Sequence, residues 1–161
     1  MKDMKTTVSA PRFPEIGGKN LDGKEFVLPR DFEGALNIVF VAFQREQQLA
    51  VNTWLPTATL LENLHKELRY YELPVHSSIN PIVRWFLNRA MRVGIRYPGS
   101  REKTISLYID KDPFCKTLDI SGEEYSHVLV LNEEAQVVWR SEGSCDVEKA
   151  KSLSDFITET L

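Results

Sequence analysis

The feature that most constrains the fold is a nearly uninterrupted apolar run at residues 35–43, ALNIVFVAF. A strand with one solvated face alternates apolar and polar residues, whereas a strand buried on both faces is apolar throughout. The run is too short to cross a bilayer as a helix, which takes about 20 residues. It therefore predicts a central strand of a parallel sheet, covered on both faces.

Helical and strand patterns alternate after this run. Apolar spacing predicts helices at about 46–68, 80–96, 113–119 and 145–160, and strands at 70–77, 104–110, 127–132 and 136–141. Before the run, Asp22 and Gly23 predict a hairpin turn. Pro56 is expected to kink or restart the first long helix, and the alternating strand at 104–110 is expected at a sheet edge. The order indicates an α/β domain with a mixed sheet, which we place at residues 13–161 after a flexible tail at 1–12.

Composition narrows the range of functions. A net charge of −3 and a pI near 5.7 argue against a general nucleic-acid binder. The polar N-terminus has no signal-peptide pattern, and no apolar run is long enough for an integral membrane segment, so we expect a cytoplasmic protein. Two cysteines 30 positions apart, Cys115 and Cys145, do not indicate a disulfide framework.

Four segments together resemble the thioredoxin-like superfamily, and within it the peroxiredoxin branch. They are GKNLDGKEFVLPRDFEG at 18–34, ALNIVFVAF at 35–43, SLYIDKDPFCKTLDI at 106–120 and YSHVLVLNEEAQVVWRSEG at 125–143. The resemblance implies a three-layer α/β/α domain with a mixed five-stranded central sheet and an N-terminal β-hairpin.

The residues needed for thiol chemistry are missing from the expected place. In this superfamily a thiolate lies at the start of the first long helix, where the helix dipole lowers its pKa. A cysteine pair would fall at Arg45 and Gln48 if counted from the strand, or at Gln48 and Val51 if counted from Pro56. The peroxiredoxin pattern P-x-x-x-T-x-x-C is also absent, and Ser126 stands where the resemblance implies a cis-proline. These residues favour a redox-inactive protein rather than an enzyme.

A second, weaker resemblance points to the mitochondrial assembly factor for the membrane sector of ATP synthase, a thioredoxin-like protein without the cysteine pair. The counterparts here are Phe43, Glu46, Gln48, Trp54, the segment 82–96 and the segment 138–140. This resemblance implies an assembly or chaperone-like role that works through protein binding.

Two surfaces are candidates for binding. The first is a cleft expected at the carboxyl end of the first core strand, where open α/β sheets bind ligands; it comprises Arg45, Glu46, Gln47, Gln48, Tyr125 and Ser126. The second is a basic helix carrying Arg84, Trp85, Asn88, Arg89, Arg92 and Arg96, suited to an acidic protein partner or an anionic membrane face. The alternatives are a solvated loop for the first and an ordinary amphipathic helix for the second.

The competing functional class is an enzyme, a divergent peroxiredoxin or thiol–disulfide oxidoreductase that uses Cys115 or Cys145. Cys115 is expected in the first turn of the helix at 113–119, where a thiol pKa can fall; the alternative is a core residue. The expected sheet places the two thiols too far apart for a bridge. The three histidines, His65, His76 and His127, lack the spacing of metal ligands, so we expect no metal and no cofactor.

Overall fold

The computed structural model describes residues 10–77, 89 and 100–161. The strands are β1 (Ile16–Asn20), β2 (Glu25–Leu28), β3 (Leu36–Ala42), β4 (Leu68–His76), β5 (Ile105–Tyr108), β6 (His127–Leu131) and β7 (Val137–Glu142). The helices are α1 (Gln48–Leu64), α2 (Ser100–Lys103), α3 (Lys111–Thr117) and α4 (Val147–Thr160), and a 3-10 turn, Arg45–Gln47, precedes α1.

The described strands form one mixed sheet in the order β2-β1-β5-β4-β3-β6-β7. The pairs β3–β4 and β4–β5 are parallel, and the other pairs are antiparallel. The predicted mixed α/β sheet is thus confirmed, but it has seven strands rather than five. The N-terminal hairpin joins the sheet through Lys19 and Asn20, which pair with Ser106 and Ile105. Because β1 covers its outer side, β5 is internal, and the prediction of an edge strand there is wrong.

Strand β3 lies between two apolar cores, one on each face of the sheet, and all seven of its residues are buried. Val39 and Val41 belong to one core, whereas Ile38 and Phe40 belong to the other, as alternation along a strand requires. Helices α1 and α4 cover the second core, and Phe114 of α3 packs in the first. The layers are therefore helix, sheet and helix, and each buried large apolar side chain contributes roughly 1.5–3 kcal/mol.

Helix α1 carries the predicted apolar stripe, with Val51, Trp54, Leu55, Ala58 and Leu61 buried. It ends at Leu64, earlier than expected, because the chain turns at 65–67 into β4. The helix continues through Pro56 without the expected restart. Proline has no N–H to donate to the backbone carbonyl one helical turn earlier. Because Pro56 is exposed, water can hydrogen-bond to that carbonyl instead.

Residues 11–13, at the predicted start of the domain, pair with the segment between β6 and β7. The carbonyl of Pro11 accepts a hydrogen bond from the Val137 N–H at 2.8 Å, and the Phe13 N–H donates to the Ala135 carbonyl at 2.8 Å. Arg12 forms a β-bridge with Gln136. These bonds attach the residues before β1 to the β6–β7 turn. Within the described ranges, no helix has the length and apolar character needed to cross a membrane.

Candidate functional site

A cavity of about 630 Å³ opens at the carboxyl end of β3, beside the start of α1. We call it the helix-start cavity. Its lining residues are Gln44, Glu46, Gln47, Ala50, Glu124, Tyr125, Ser126, Glu142, Gly143, Ser144 and Lys149. They come from the strand-to-helix turn with the first turn of α1, the loop before β6, and the end of β7 with the turn and the first turn of α4 that follow it. The topology brings these segments to one edge of the sheet.

The side chain of Gln47 fixes one wall of the cavity. Its Oε1 accepts hydrogen bonds from the backbone N–H groups of Phe43, at 2.7 Å, and Gln44, at 3.3 Å. Its Nε2 donates to the Glu123 carbonyl at 2.7 Å. The Glu123 carboxylate in turn accepts a hydrogen bond from Lys111 Nζ at 3.3 Å. A neutral amide therefore joins the two loops at the helix start; it can hydrogen-bond there but cannot act as an anionic nucleophile.

Gly143 fixes the opposite wall. Its N–H donates to the Ser126 carbonyl at 2.9 Å, and its own carbonyl accepts a hydrogen bond from Trp54 Nε1 at 2.9 Å. Gly143 has φ +71°, a conformation that favours glycine. Ser126 is 2% exposed, and its Oγ has no hydrogen-bond partner among the described residues. The peptide bond before Ser126 is trans, since the cis bond in the described ranges is at Leu28–Pro29.

The rim of the cavity is acidic. Glu46, Glu124 and Glu142 line it, and all three are exposed. The cation in the lining is Lys149, whose Nζ donates to the backbone carbonyls of Glu142, at 2.7 Å, and Ser144, at 3.1 Å. Because carbonyls hold the ammonium group, no carboxylate of the rim forms a salt bridge with it in the described structure. The cavity therefore presents an excess of negative charge.

Four of the six predicted cleft residues meet here, namely Glu46, Gln47, Tyr125 and Ser126. The other two, Arg45 and Gln48, do not line the cavity. Arg45 is exposed. Sequence reasoning also missed part of the lining, above all the segment 142–144 and Lys149. The signal for this segment was the sequence Glu-Gly-Ser at 142–144, directly after the last predicted strand. It predicts a turn, and a turn after β7 lies at the same edge of the sheet as the end of β3.

Gln48 points toward β4 instead of the cavity. Its Nε2 donates to Glu72 Oε1 at 2.9 Å and to Asn52 Oδ1 at 2.9 Å. Glu72 is 3% exposed, and its Oε2 has no hydrogen-bond partner among the described residues. Burial raises the pKa of the Glu72 carboxyl, although the Gln48 hydrogen bond and the charge of Lys103 oppose that shift.

The two thiols lie on opposite faces of the sheet, and neither lines the helix-start cavity. Cys115 packs against the core that contains Val39, and Cys145 packs against the core that contains Phe40. Both are free cysteines. The described hydrogen bonds of Cys145 involve Thr53 and Asp146.

The surroundings lower the pKa of neither thiol. The expectation that Cys115 occupies the first turn of its helix is wrong, because α3 begins at Lys111, capped by the Asp110 side chain, and Cys115 falls in the second turn. Burial, followed by nearby carboxylates, raises the pKa of the Cys115 thiol. Burial and then Asp146 raise the pKa of the Cys145 thiol. Raised thiol pKa values lower the thiolate fraction that thiol–disulfide exchange requires.

The predicted basic helix lies outside the described residues except for Arg89, which is helical and exposed. Its proposed docking role stays a prediction. Across the described ranges, the structure holds no group of three or more His, Cys, Asp or Glu side chains placed to bind a metal ion.

Solved structures define the class to which this fold belongs. BsSco, a member of the Sco family of cytochrome c oxidase assembly proteins, aligns with a TM-score of 0.66 at 11% identity over 93% of each chain. The exposed lipoprotein thioredoxin of Streptococcus pneumoniae aligns with a TM-score of 0.62 at 11% identity, covering 91% of this chain and 99% of its own. A thiol:disulfide interchange protein from Bacteroides sp. aligns with a TM-score of 0.59 at 15% identity, covering 94% and 91%.

These alignments show that the chain has the thioredoxin-like fold. At such identities the likeness shows the fold alone. No protein-family model matches the chain, and no curated protein matches it.

Proposed function

We propose that this chain is a thioredoxin-like protein that binds a protein partner at the helix-start cavity without thiol chemistry. The observation that carries the proposal is that the two expected cysteine registers hold Arg45, Gln48 and Val51, and that Gln47 beside them is a buried amide with both ends hydrogen-bonded. Thiol exchange needs an accessible thiolate at such a position. A cavity of about 630 Å³ lies at this place, a volume in the range of ligand pockets, so binding is the function that its groups support.

The resemblance to the assembly factor for ATP synthase supports an assembly or chaperone-like role for this binding. The resemblance to the peroxiredoxin branch concerns the same scaffold and would add no chemistry here, since neither cysteine lines the cavity.

A thiol–disulfide oxidoreductase is the second candidate. The descriptions of the similar structures favour this class over a binding protein, because they include a thioredoxin and a thiol:disulfide interchange protein. Cys145 would be the candidate thiol, since it follows the lining residue Ser144 directly in the chain. The raised pKa of its thiol weighs against it.

Insulin reduction and peroxide reduction distinguish the two candidates. The assays compare the wild type with Cys115→Ser and Cys145→Ser, and they include a thioredoxin as a positive control. The binding proposal expects no turnover above background in any of the three proteins. Turnover in the wild type that either variant abolishes would replace it with the second candidate.

Binding itself is tested by site-specific photo-crosslinking in cell extract. A photoreactive residue at Tyr125 in the cavity is compared with one at Glu134, an exposed position in the β6–β7 turn. We expect a discrete crosslinked protein from Tyr125 that is absent from Glu134. Equal crosslinking patterns at both positions would contradict the proposal.

A further inference from the structure

We infer that the helix-start cavity selects a polypeptide segment that presents an arginine or lysine side chain. This inference rests on the proposed function and names the chemistry of the partner. It follows from the unpaired charges of the rim, the orphaned hydroxyl of Ser126 and the exposed ring of Tyr125.

The charge of the rim is the first argument. Glu46, Glu124 and Glu142 reach the same cavity from three separate segments, and none of them has a salt bridge within the described ranges. The one lysine of the lining donates to two carbonyls. Three carboxylates against the one ammonium group of Lys149 leave an excess of negative charge around one concave surface, which attracts a cation.

The hydroxyl of Ser126 is the second argument, and it is independent of the charges. Ser126 lines the cavity, is 2% exposed, and has an Oγ without a partner in the described part of the chain. Buried hydroxyl groups are nearly always hydrogen-bonded. The Oγ is itself buried, and a rotation of the Ser126 side chain that brings it to the cavity surface would let it accept an N–H from a guanidinium or ammonium group.

The ring of Tyr125 is the third argument. It is 57% exposed at the cavity rim, next to Ser126 in the chain. A tyrosine face beside carboxylates suits a guanidinium, which stacks on aromatic rings while its N–H groups reach acceptors at its edge. Tyrosine and arginine are also enriched at protein interfaces. A cavity of about 630 Å³ has room for such a side chain and part of its backbone.

Fluorescence anisotropy with short dye-labelled peptides tests the inference on the full chain. The probes are a peptide with central arginines and two matched peptides with glutamate or glutamine in their place. We expect binding of the arginine peptide that weakens with added salt, and at least about tenfold weaker binding of the other two. Equal binding of the glutamine peptide would overturn the inference and leave the proposed function standing.

Variants assign the binding to the cavity. Combining Glu46→Gln, Glu124→Gln and Glu142→Gln should weaken arginine-peptide binding by about tenfold or more. The matched control combines Glu133→Gln, Glu134→Gln and Glu159→Gln, which removes the same charge from exposed positions outside the cavity, and it should change the affinity by less than about twofold. An equal loss in both sets would show a nonspecific charge effect and refute the site.

Ser126→Ala separates a ligand contact from a structural role. Because Ser126 Oγ has no partner among the described residues, its removal should leave the thermal midpoint unchanged or higher, while the peptide affinity falls by about threefold or more. An unchanged affinity would remove Ser126 from the site. If no peptide binds while Tyr125 still crosslinks a protein, the cationic partner is wrong and the proposed function stands. If both experiments fail, the proposed function falls with it.

Discussion

Gln48, in the first turn of α1, donates a 2.9 Å hydrogen bond to Glu72, a carboxyl buried in β4. The other oxygen of Glu72 has no hydrogen-bond partner among the described residues. The bond connects the start of the helix to the strand beneath it. It also explains why Gln48 does not take part in the helix-start cavity, although its position in the sequence suggested that it would.

The Glu72 carboxyl should make the stability of the fold depend on pH. Burial raises its folded-state pKa above the ordinary value of 4.5, so the folded state binds more protons than the unfolded state between the two values. The stability that the protonated form provides is complete below the unfolded pKa and is lost as pH rises through the folded pKa.

Glu72→Gln tests this dependence, because an amide cannot ionise. Relative to the wild type, we expect the variant to gain about 1–2 kcal/mol between acidic and neutral pH, the scale for one buried unsatisfied polar group. Urea unfolding at both pH values measures the difference. The control is Glu134→Gln on the surface, and a difference that stays the same at both pH values for Glu72→Gln would contradict the expectation.

Gln47→Ala should destabilise the loop network at the helix start. The substitution leaves the buried Phe43 N–H and the Glu123 carbonyl without the amide that joins them. We expect a loss of about 1–3 kcal/mol in the free energy of unfolding. Gln44→Ala is the matched control, since Gln44 is exposed and its side chain makes a longer bond to the same carbonyl, at 3.4 Å. Equal losses in the two variants would contradict the role of Gln47.

The local features of this fold were predictable from the sequence, and its long-range pairings were not. The apolar run at 35–43 indicates a buried strand, and the apolar stripe from Val51 to Leu61 indicates an amphipathic helix. Both patterns depend only on residues that are close together in the chain. The pairing of Asn20 with Ile105 joins segments that are far apart in the chain, so local patterns do not place the hairpin in the sheet.

The site shows the same division between local and distant information. The position of the cavity follows from the end of β3, which the apolar run marks. The direction of the Gln48 side chain depends on Glu72, 24 positions away, and no local pattern reports it. The start of α3 differs from the predicted start at 113 for another reason. Either Asp110 or Asp112 can cap a helix N-terminus, and in the structure Asp110 is the N-cap.

Both thiols should react slowly with alkylating reagents in the folded protein. Burial raises the pKa of Cys115 and of Cys145 above the ordinary thiol value of 9.0, so the thiolate fraction at neutral pH is below that of an unperturbed thiol. We expect iodoacetamide to modify each site more slowly than it modifies the denatured chain, and the rate to rise with pH. Mass spectrometry of Cys115→Ser and Cys145→Ser measures the two sites separately. A thiol that reacts faster in the folded chain than in the denatured chain would contradict this expectation and support the thiol–disulfide oxidoreductase.

Gly143→Ala should destabilise the wall of the cavity through the backbone alone. An added Cβ at Gly143 meets no atom within 4 Å, but the residue has φ +71°, and a side chain in the left-handed region costs about 1–2 kcal/mol. Gly122→Ala is the matched control, since its added Cβ also meets nothing within 4 Å and its φ lies outside that region. There we expect no loss, or a gain of about 0.4–1 kcal/mol from a stiffer unfolded chain. Thermal and urea unfolding measure the difference in stability between the two variants. Equal stabilities would show that the Gly143 conformation relaxes without cost. This turn would then not hold the Ser126 wall of the cavity in place.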